Sequence, residues 1–181
     1  MGIDDNLTIN SKKPLILIGL MGAGKYSVGK RLANALNLPF WDADNEIEAT
    51  CNYSITEIFS RFGEPEFRIL EANVINRLLL GPQHVLATGG GAFMNNKTRK
   101  LIKKKGISIW LRASLDVLLE RTRKRKGRPL LEKGDPEKVF QLLINERHPI
   151  YGSADIIVDT NNRPHNEMVE TIITEYKKFL G

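Results

Sequence analysis

Cysteine is nearly missing from this chain: Cys51 stands alone. That excludes an internal disulfide framework and fits a reducing compartment. A lone thiol can be a nucleophile, but a small, partly buried side chain is the simpler reading. Also missing is any apolar run near the roughly 20 residues that a bilayer crossing needs. The opening "MGIDDNLTINSKK" carries acids early and no apolar segment, so it does not read as a secretion signal. Asn6 stands where a myristoylation motif wants Ser or Thr. His84, His148 and His165 show no metal-ligand spacing and read as structural or exposed. Internal repeats and low-complexity segments are absent. A cytoplasmic location without a membrane partner is the expectation.

What is present suits one globular domain. The chain has 181 residues, 41% hydrophobic and 27% charged, enough for a sizeable core. A single domain over 1–181 is expected, with 1–12 as a flexible extension. The net charge of +6 comes with two basic runs, "KTRKLIKKK" (Lys97–Lys105) and "RTRKRKGR" (Arg121–Arg128). Such runs suit nucleic acid or anionic small substrates. In the first, Leu101 and Ile102 fall in a helical pattern, so its lysines read as a solvated face.

Along the chain, strand and helix patterns alternate. "PLILIG", "PFWD", "HVLATGGG", "GISIWLR" and "ADIIVDT" read as strands. Helices are expected over "KYSVGKRLANALN", "ITEIFSRF", "EFRILEANVINRLLL", "SLDVLLERTRKR" and "NEMVETIITEYKKFL". A further helix, "DPEKVFQLLINERHPIY", opens with Asp135 as N-cap and Pro136 in its first position. Alternation of this kind implies a parallel sheet with helices on both faces and right-handed crossovers. "KGRPLLEKGDP" reads as a mobile loop.

The first strand runs into "GLMGAGKYS". Gly19, Gly22 and Gly24 let backbone N–H groups approach a phosphate, the following helix adds its positive end, and Lys25 reaches the β/γ-phosphates. Asp42 and Asp44 of "WDAD" are expected at the end of the second strand, facing the nucleotide. One could hold Mg²⁺ through water and the other accept a proton; the plain alternative is a helix N-cap. Gly89, Gly90 and Gly91 follow the third strand, and three glycines suggest that something touches the backbone there. Phe40 and Trp41 read as core residues.

In this order and across nearly the whole chain from Lys13, "GLMGAGK", "DAD", "GEPEFR", "GGGA", "RPLL", "ERHPIY" and "VDTNNRP" resemble shikimate kinase. The resemblance implies a three-layer α/β/α domain with five parallel strands in the order 2-3-1-4-5, a phosphate loop and a lid over about 123–135. It implies γ-phosphoryl transfer from ATP to the 3-hydroxyl of shikimate. Lys25, Asp44 and Arg128 would then be catalytic, with Asp44 as base and Arg128 on the lid. ATP would meet Gly22, Ala23, Gly24, Lys25, Tyr26, Ser27, Arg128 and Arg163, the last at the adenine. Shikimate would meet Asp44, Arg68, Gly89, Gly90, Gly91 and Arg147, the two arginines holding its carboxylate, with Phe67 and Glu71 in support. Asp42 would orient one Mg²⁺ through water. With a lid closing on a polyanion, "RTRKRKGR" no longer implies nucleic acid, and a monomer is the default. Rival readings are a gluconate or nucleotide kinase of this fold, or a nucleotide-binding regulator without catalysis.

One position departs from the pattern. Tyr26 fills the slot where the family's Ser or Thr gives its hydroxyl to Mg²⁺. A phenol is a poor neutral ligand and carries its oxygen a ring further out. Tyr26 is therefore expected to swing out of the metal position. Ser27 points about 100° away on a helix and is the weaker substitute.

Overall fold

The computed structural model describes residues 11–123, 134–160 and 163–181, and every structural statement below concerns those residues. Residues 1–10 of the extension expected at 1–12, most of the lid expected at 123–135 and its Arg128 lie outside them.

Strand β1, Leu15–Ile18, is four aliphatic residues buried on both faces. A strand apolar on both sides must be flanked by paired strands and covered above and below. β3 (Val85–Ala87) and β4 (Ile107–Arg112) pair with it in parallel, with Leu15 opposite both Val85 and Ile107. β2 (Phe40–Asp42) joins β3, and β5 (Ile156–Asp159) joins β4. The parallel order is β2-β3-β1-β4-β5, the order the resemblance implies.

Seven helices are described: α1 (Lys25–Ala35), α2 (Ala43–Cys51), α3 (Ile55–Leu78), α4 (Asn96–Lys105), α5 (Leu115–Arg123), α6 (Pro136–Tyr151) and α7 (His165–Leu180). A single 3₁₀ turn, Ala92–Met94, follows the three glycines. α1 packs on α7, α5 on α6, and both α4 and α6 reach the 3₁₀ turn. On α4, Thr98 and Ile102 are buried while Lys97, Lys100, Lys103 and Lys104 are exposed, the solvated face its pattern predicts. Asp135 caps α6 through the Glu137 N–H, with Pro136 behind it, as expected.

The two helices expected over "ITEIFSRF" and "EFRILEANVINRLLL" are the arms of α3, broken at Gly63, whose φ of 82° is a backbone shape that only glycine adopts cheaply. A capping box opens α3: Ser54 accepts from the Glu57 N–H, and Glu57 accepts from the Ser54 N–H. Ile47, Ile58, Phe67 and Val74 form a small second core between α2 and α3, apart from the main core on the sheet. That lobe carries Arg68.

Two placements differ from expectation. Asp44 is not at a strand end: β2 stops at Asp42, which is itself the N-cap of α2, and Asp44 lies in the first helical turn. The local competition between extending a strand and capping a helix was won by the cap. Trp41 is 41% exposed instead of buried, because β2 is an edge strand and alternation turns its middle residue outward; Phe40 is half-buried.

Helix α1 lies close to the sheet because Gly29 has no side chain. A Cβ there would come within 2.7 Å of the Phe40 ring and 2.9 Å of Leu17. Gly29→Val should therefore destabilise the fold by about 1–3 kcal/mol through overpacking, read from the urea unfolding midpoint. An unchanged midpoint would show that α1 can back away at no cost.

Candidate active site

The loop between β1 and α1 is shaped for an anion. Gly22 and Gly24 have φ of 84° and 96°, which only glycine accepts easily. Gly24 is the N-cap of α1 and supplies no side chain to cap it, so the first N–H groups of the helix point into the cleft. Lys25 Nζ folds back over this loop and donates to the carbonyls of Gly19 (2.8 Å) and Leu20 (3.0 Å).

This loop forms one wall of a cleft of about 740 Å³ at the carboxyl ends of the strands. Lining it are Gly22, Gly24, Lys25, Tyr26 and Ser27 from the loop and α1, Asp42 and Asp44 from the start of α2, Arg68 and Glu71 from α3, Gly89–Gly91, and Arg147 from α6. Residues spread over more than a hundred positions thus meet in one space. Ala23 is buried behind the loop. Arg163 is exposed beyond β5 and is not among the lining residues.

Beside the phosphate loop, two guanidinium groups lie against the glycine turn, Arg147 at Gly90 and Arg68 at Gly91. Arg68 Nη1 donates to Glu71 Oε2 at 2.7 Å, while its Nε and Nη2 reach Glu64 Oε1 at 3.2 and 2.9 Å. Arg147 is buried, and its Nε has no hydrogen-bond partner among the described residues. The glycines leave room for these groups: a Cβ on Gly91 would collide with the Arg68 guanidinium, and one on Gly89 with Glu71 Oε1. Burial pushes the Glu71 carboxyl up from its ordinary range, and Arg68 and Arg147 pull it back.

Asp42 Oδ1 accepts from the Asn45 N–H at 3.1 Å. Asp44 faces water in the open cleft, yet protein surrounds it at slightly longer range. That desolvation, with Asp42 beside it, raises its pKa above the usual carboxylate value, and Lys25 opposes the rise. Desolvation raises Asp42 as well, against its backbone hydrogen bonds. Tyr26 turns its ring edge-on to Phe40, centroids 5.4 Å apart, and is 48% exposed at the edge of the cleft.

Arg121 was hidden in the basic run. On α5 it turns inward: Nη1 lies 3.4 Å from the carbonyls of Gly22 and Ala23, and Nη2 lies 3.3 Å from the carbonyl of Thr160. It ties the phosphate loop to the end of β5. Its helical register beside buried Leu118 and Thr122 is the signal that could have singled it out. His165, at the start of α7, also reaches the cleft.

A family model described as shikimate kinase matches residues 21–177. The chain belongs to the shikimate kinase family. A shikimate kinase of Caulobacter vibrioides is 49% identical over 176 residues, covering 97% of this chain and 88% of that relative. One of Rhodopseudomonas palustris is 50% identical, covering 93% and 83%. Among solved structures, the shikimate kinase of Acinetobacter baumannii, in complex with shikimate, superposes with a TM-score of 0.87 at 36% identity, covering 91% of this chain and 92% of that one. Family membership at this identity disfavours the gluconate-kinase, nucleotide-kinase and non-catalytic readings.

Arg121 gives the site its own prediction. Removing its three long hydrogen bonds in Arg121→Ala should loosen the loop and weaken ADP binding about tenfold, measured by calorimetry, and should speed amide exchange from Gly22 to Lys25. Unchanged exchange would mean that the loop holds its shape without this arginine.

Proposed function

We propose that this chain transfers the γ-phosphoryl group of ATP to the 3-hydroxyl of shikimate, giving shikimate 3-phosphate and ADP. One observation carries the reading. A phosphate cradle, a pair of guanidinium groups and the carboxylate of Asp44 line one cleft. The cradle suits a polyphosphate. The forks of Arg68 and Arg147 suit a small planar carboxylate, which guanidinium binds through paired hydrogen bonds.

The division of labour follows from the positions. Gly22–Lys25 and the first turn of α1 hold the phosphates, and Lys25 leaves its two loop carbonyls for the transferring group. Arg68 and Arg147 hold the shikimate carboxylate, Glu71 keeps Arg68 in line, and Gly89–Gly91 give the ring a surface without side chains. Asp44 takes the proton of the attacking hydroxyl. Phosphoryl transfer of this kind rests on placement and charge, with little covalent help from the protein. Arg128 closing over the phosphates from the lid and Arg163 at the adenine complete the proposal.

The residues present fit one Mg²⁺. Asp42 and Asp44 supply hard carboxylate oxygens beside the loop, and Mg²⁺ commonly takes one or two carboxylates, substrate phosphates and several waters. Asp42 would hold it through water, with Ser27 a weak second candidate. Tyr26, with its ring against Phe40, would offer the ion no ligand. The ion's chemistry would be to neutralise phosphate charge. A cytoplasmic form is the working one we propose, since the lone Cys51 suits a reducing compartment, with a monomer as its default state.

A coupled assay of ADP release with shikimate, gluconate and nucleoside monophosphates tests the substrate; turnover with shikimate alone is the expected result. Asp44→Asn should cut kcat by about 10²–10⁴. A base must be ionised to work, so the rate should fall as pH drops through the Asp44 pKa. Because that pKa is raised, the fall should begin above the ordinary carboxylate range. A near-normal Asp44→Asn rate, or an acid limb near pH 4, would remove Asp44 as the base.

The metal slot makes a separate prediction. Tyr26→Ser and Tyr26→Thr should lower the Mg²⁺ concentration giving half the maximal rate, and raise kcat. Identical Mg²⁺ titrations in parent and variants would make the tyrosine a neutral replacement.

A further inference from the structure

Tyr151 closes the "ERHPIY" segment and has no role in the scheme above. It is the last residue of α6, one turn beyond Arg147, and is 0% exposed. Its ring is wedged among Trp110, His148 and Phe93, with centroids 5.7, 6.3 and 6.4 Å away. From that packed position the hydroxyl donates to the carbonyl of Gly90, the middle glycine of the turn, and also meets the Arg147 guanidinium.

Gly90 is where the two halves of the cleft meet. A Cβ there would lie 3.3 Å from Arg147 Nη1 and 3.6 Å from both the Gly19 carbonyl and the Met21 nitrogen. The turn therefore touches the phosphate loop on one side and a carboxylate-binding arginine on the other. Glycines have many accessible backbone shapes, and three in a row need an outside tether to hold one of them. An aromatic hydroxyl on a rigid, buried ring is such a tether. Burial pushes the Tyr151 pKa up to about 12, so the phenol keeps its proton and remains a donor at working pH.

We propose that Tyr151 is a positioning residue for the reaction: its hydroxyl fixes Gly90, and with it the distance between the acceptor's carboxylate site and the phosphate loop. This rests on the reading that Arg68, Arg147 and Gly89–Gly91 bind shikimate, and the experiment separates the two.

Steady-state kinetics on the full chain would compare Tyr151→Phe, Trp110→Phe and Arg68→Ala. Tyr151→Phe removes one oxygen and leaves the ring, so the Gly90 carbonyl loses its donor. It should raise the KM for shikimate about tenfold, with the KM for ATP within twofold of the parent. Trp110→Phe disturbs the same aromatic cluster without touching the hydroxyl. It should lower the thermal midpoint and leave both KM values within twofold. Arg68→Ala should raise the shikimate KM more than either. If Arg68→Ala raises it and Tyr151→Phe does not, the tether is wrong and the site reading stands. If neither does, the site reading fails and takes the tether with it. Equal shifts in Tyr151→Phe and Trp110→Phe, or loss of the fold in Tyr151→Phe, would make Tyr151 a packing residue only.

Discussion

The molecule is organised by the burial of β1. Its four aliphatic residues cannot face water on either side, so strands must pair along both of its edges and helices must cover both faces. Parallel pairing then brings every strand's carboxyl end to one edge of the sheet. The phosphate loop after β1, the acids after β2 and the glycines after β3 emerge there as neighbours although they are far apart in sequence. The cleft is a consequence of this packing, and the functional groups needed only to be placed at the right strand ends.

The cleft itself is an electrostatic compromise. Arg68 and Arg147 would repel each other and any nearby cation if nothing lay between them. Glu71 sits there, buried, with one oxygen paired to Arg68 and the other without a hydrogen-bond partner among the described residues. A charge so poorly solvated is costly to the free protein. It is tolerable because the guanidinium groups stabilise it, and it holds Arg68 in a fixed direction. The glycine turn serves the same economy of space: each missing side chain is room that Glu71, Arg68 or Arg147 occupies.

The phosphate loop and Arg68 rest on different cores. The phosphate loop is anchored to the main core through β1 and α1, and is tied across to β5 by Arg121. Arg68 belongs to the small core between α2 and α3, which has its own hinge-like break at Gly63. The glycine turn lies between them: Gly90 is against the phosphate loop and Arg147, with its carbonyl held by Tyr151, and Gly91 is against Arg68. The two cores are continuous through α3, whose Ile75 packs in the main core while its Phe67 and Val74 pack in the smaller one.

Strands, helices and the phosphate loop could be read from local patterns because each depends on residues close in the chain. The strand "LILI", the helix opening "DP" and the glycine spacing before Lys25 act through neighbours, and so they were legible. Asp44 was misplaced because strand extension and helix capping draw on the same short stretch, and only the folded chain decides between them. Trp41 was misjudged because nothing local marks β2 as an edge strand. The roles of Arg121 and Tyr151 are hidden for a related reason, even where helical register marks Arg121 as facing inward: their partners, the carbonyls of Gly22, Ala23 and Gly90, lie about 60 to 100 residues away. Hydrogen bonds to backbone carbonyls leave no trace in residue type at the acceptor. The sequence by itself determined the elements, the chemistry of the side chains and the family they resemble. Which of those side chains share a wall, and which backbone atoms they grip, was decided only by tertiary packing, because it depends on contacts between segments that the linear order keeps apart.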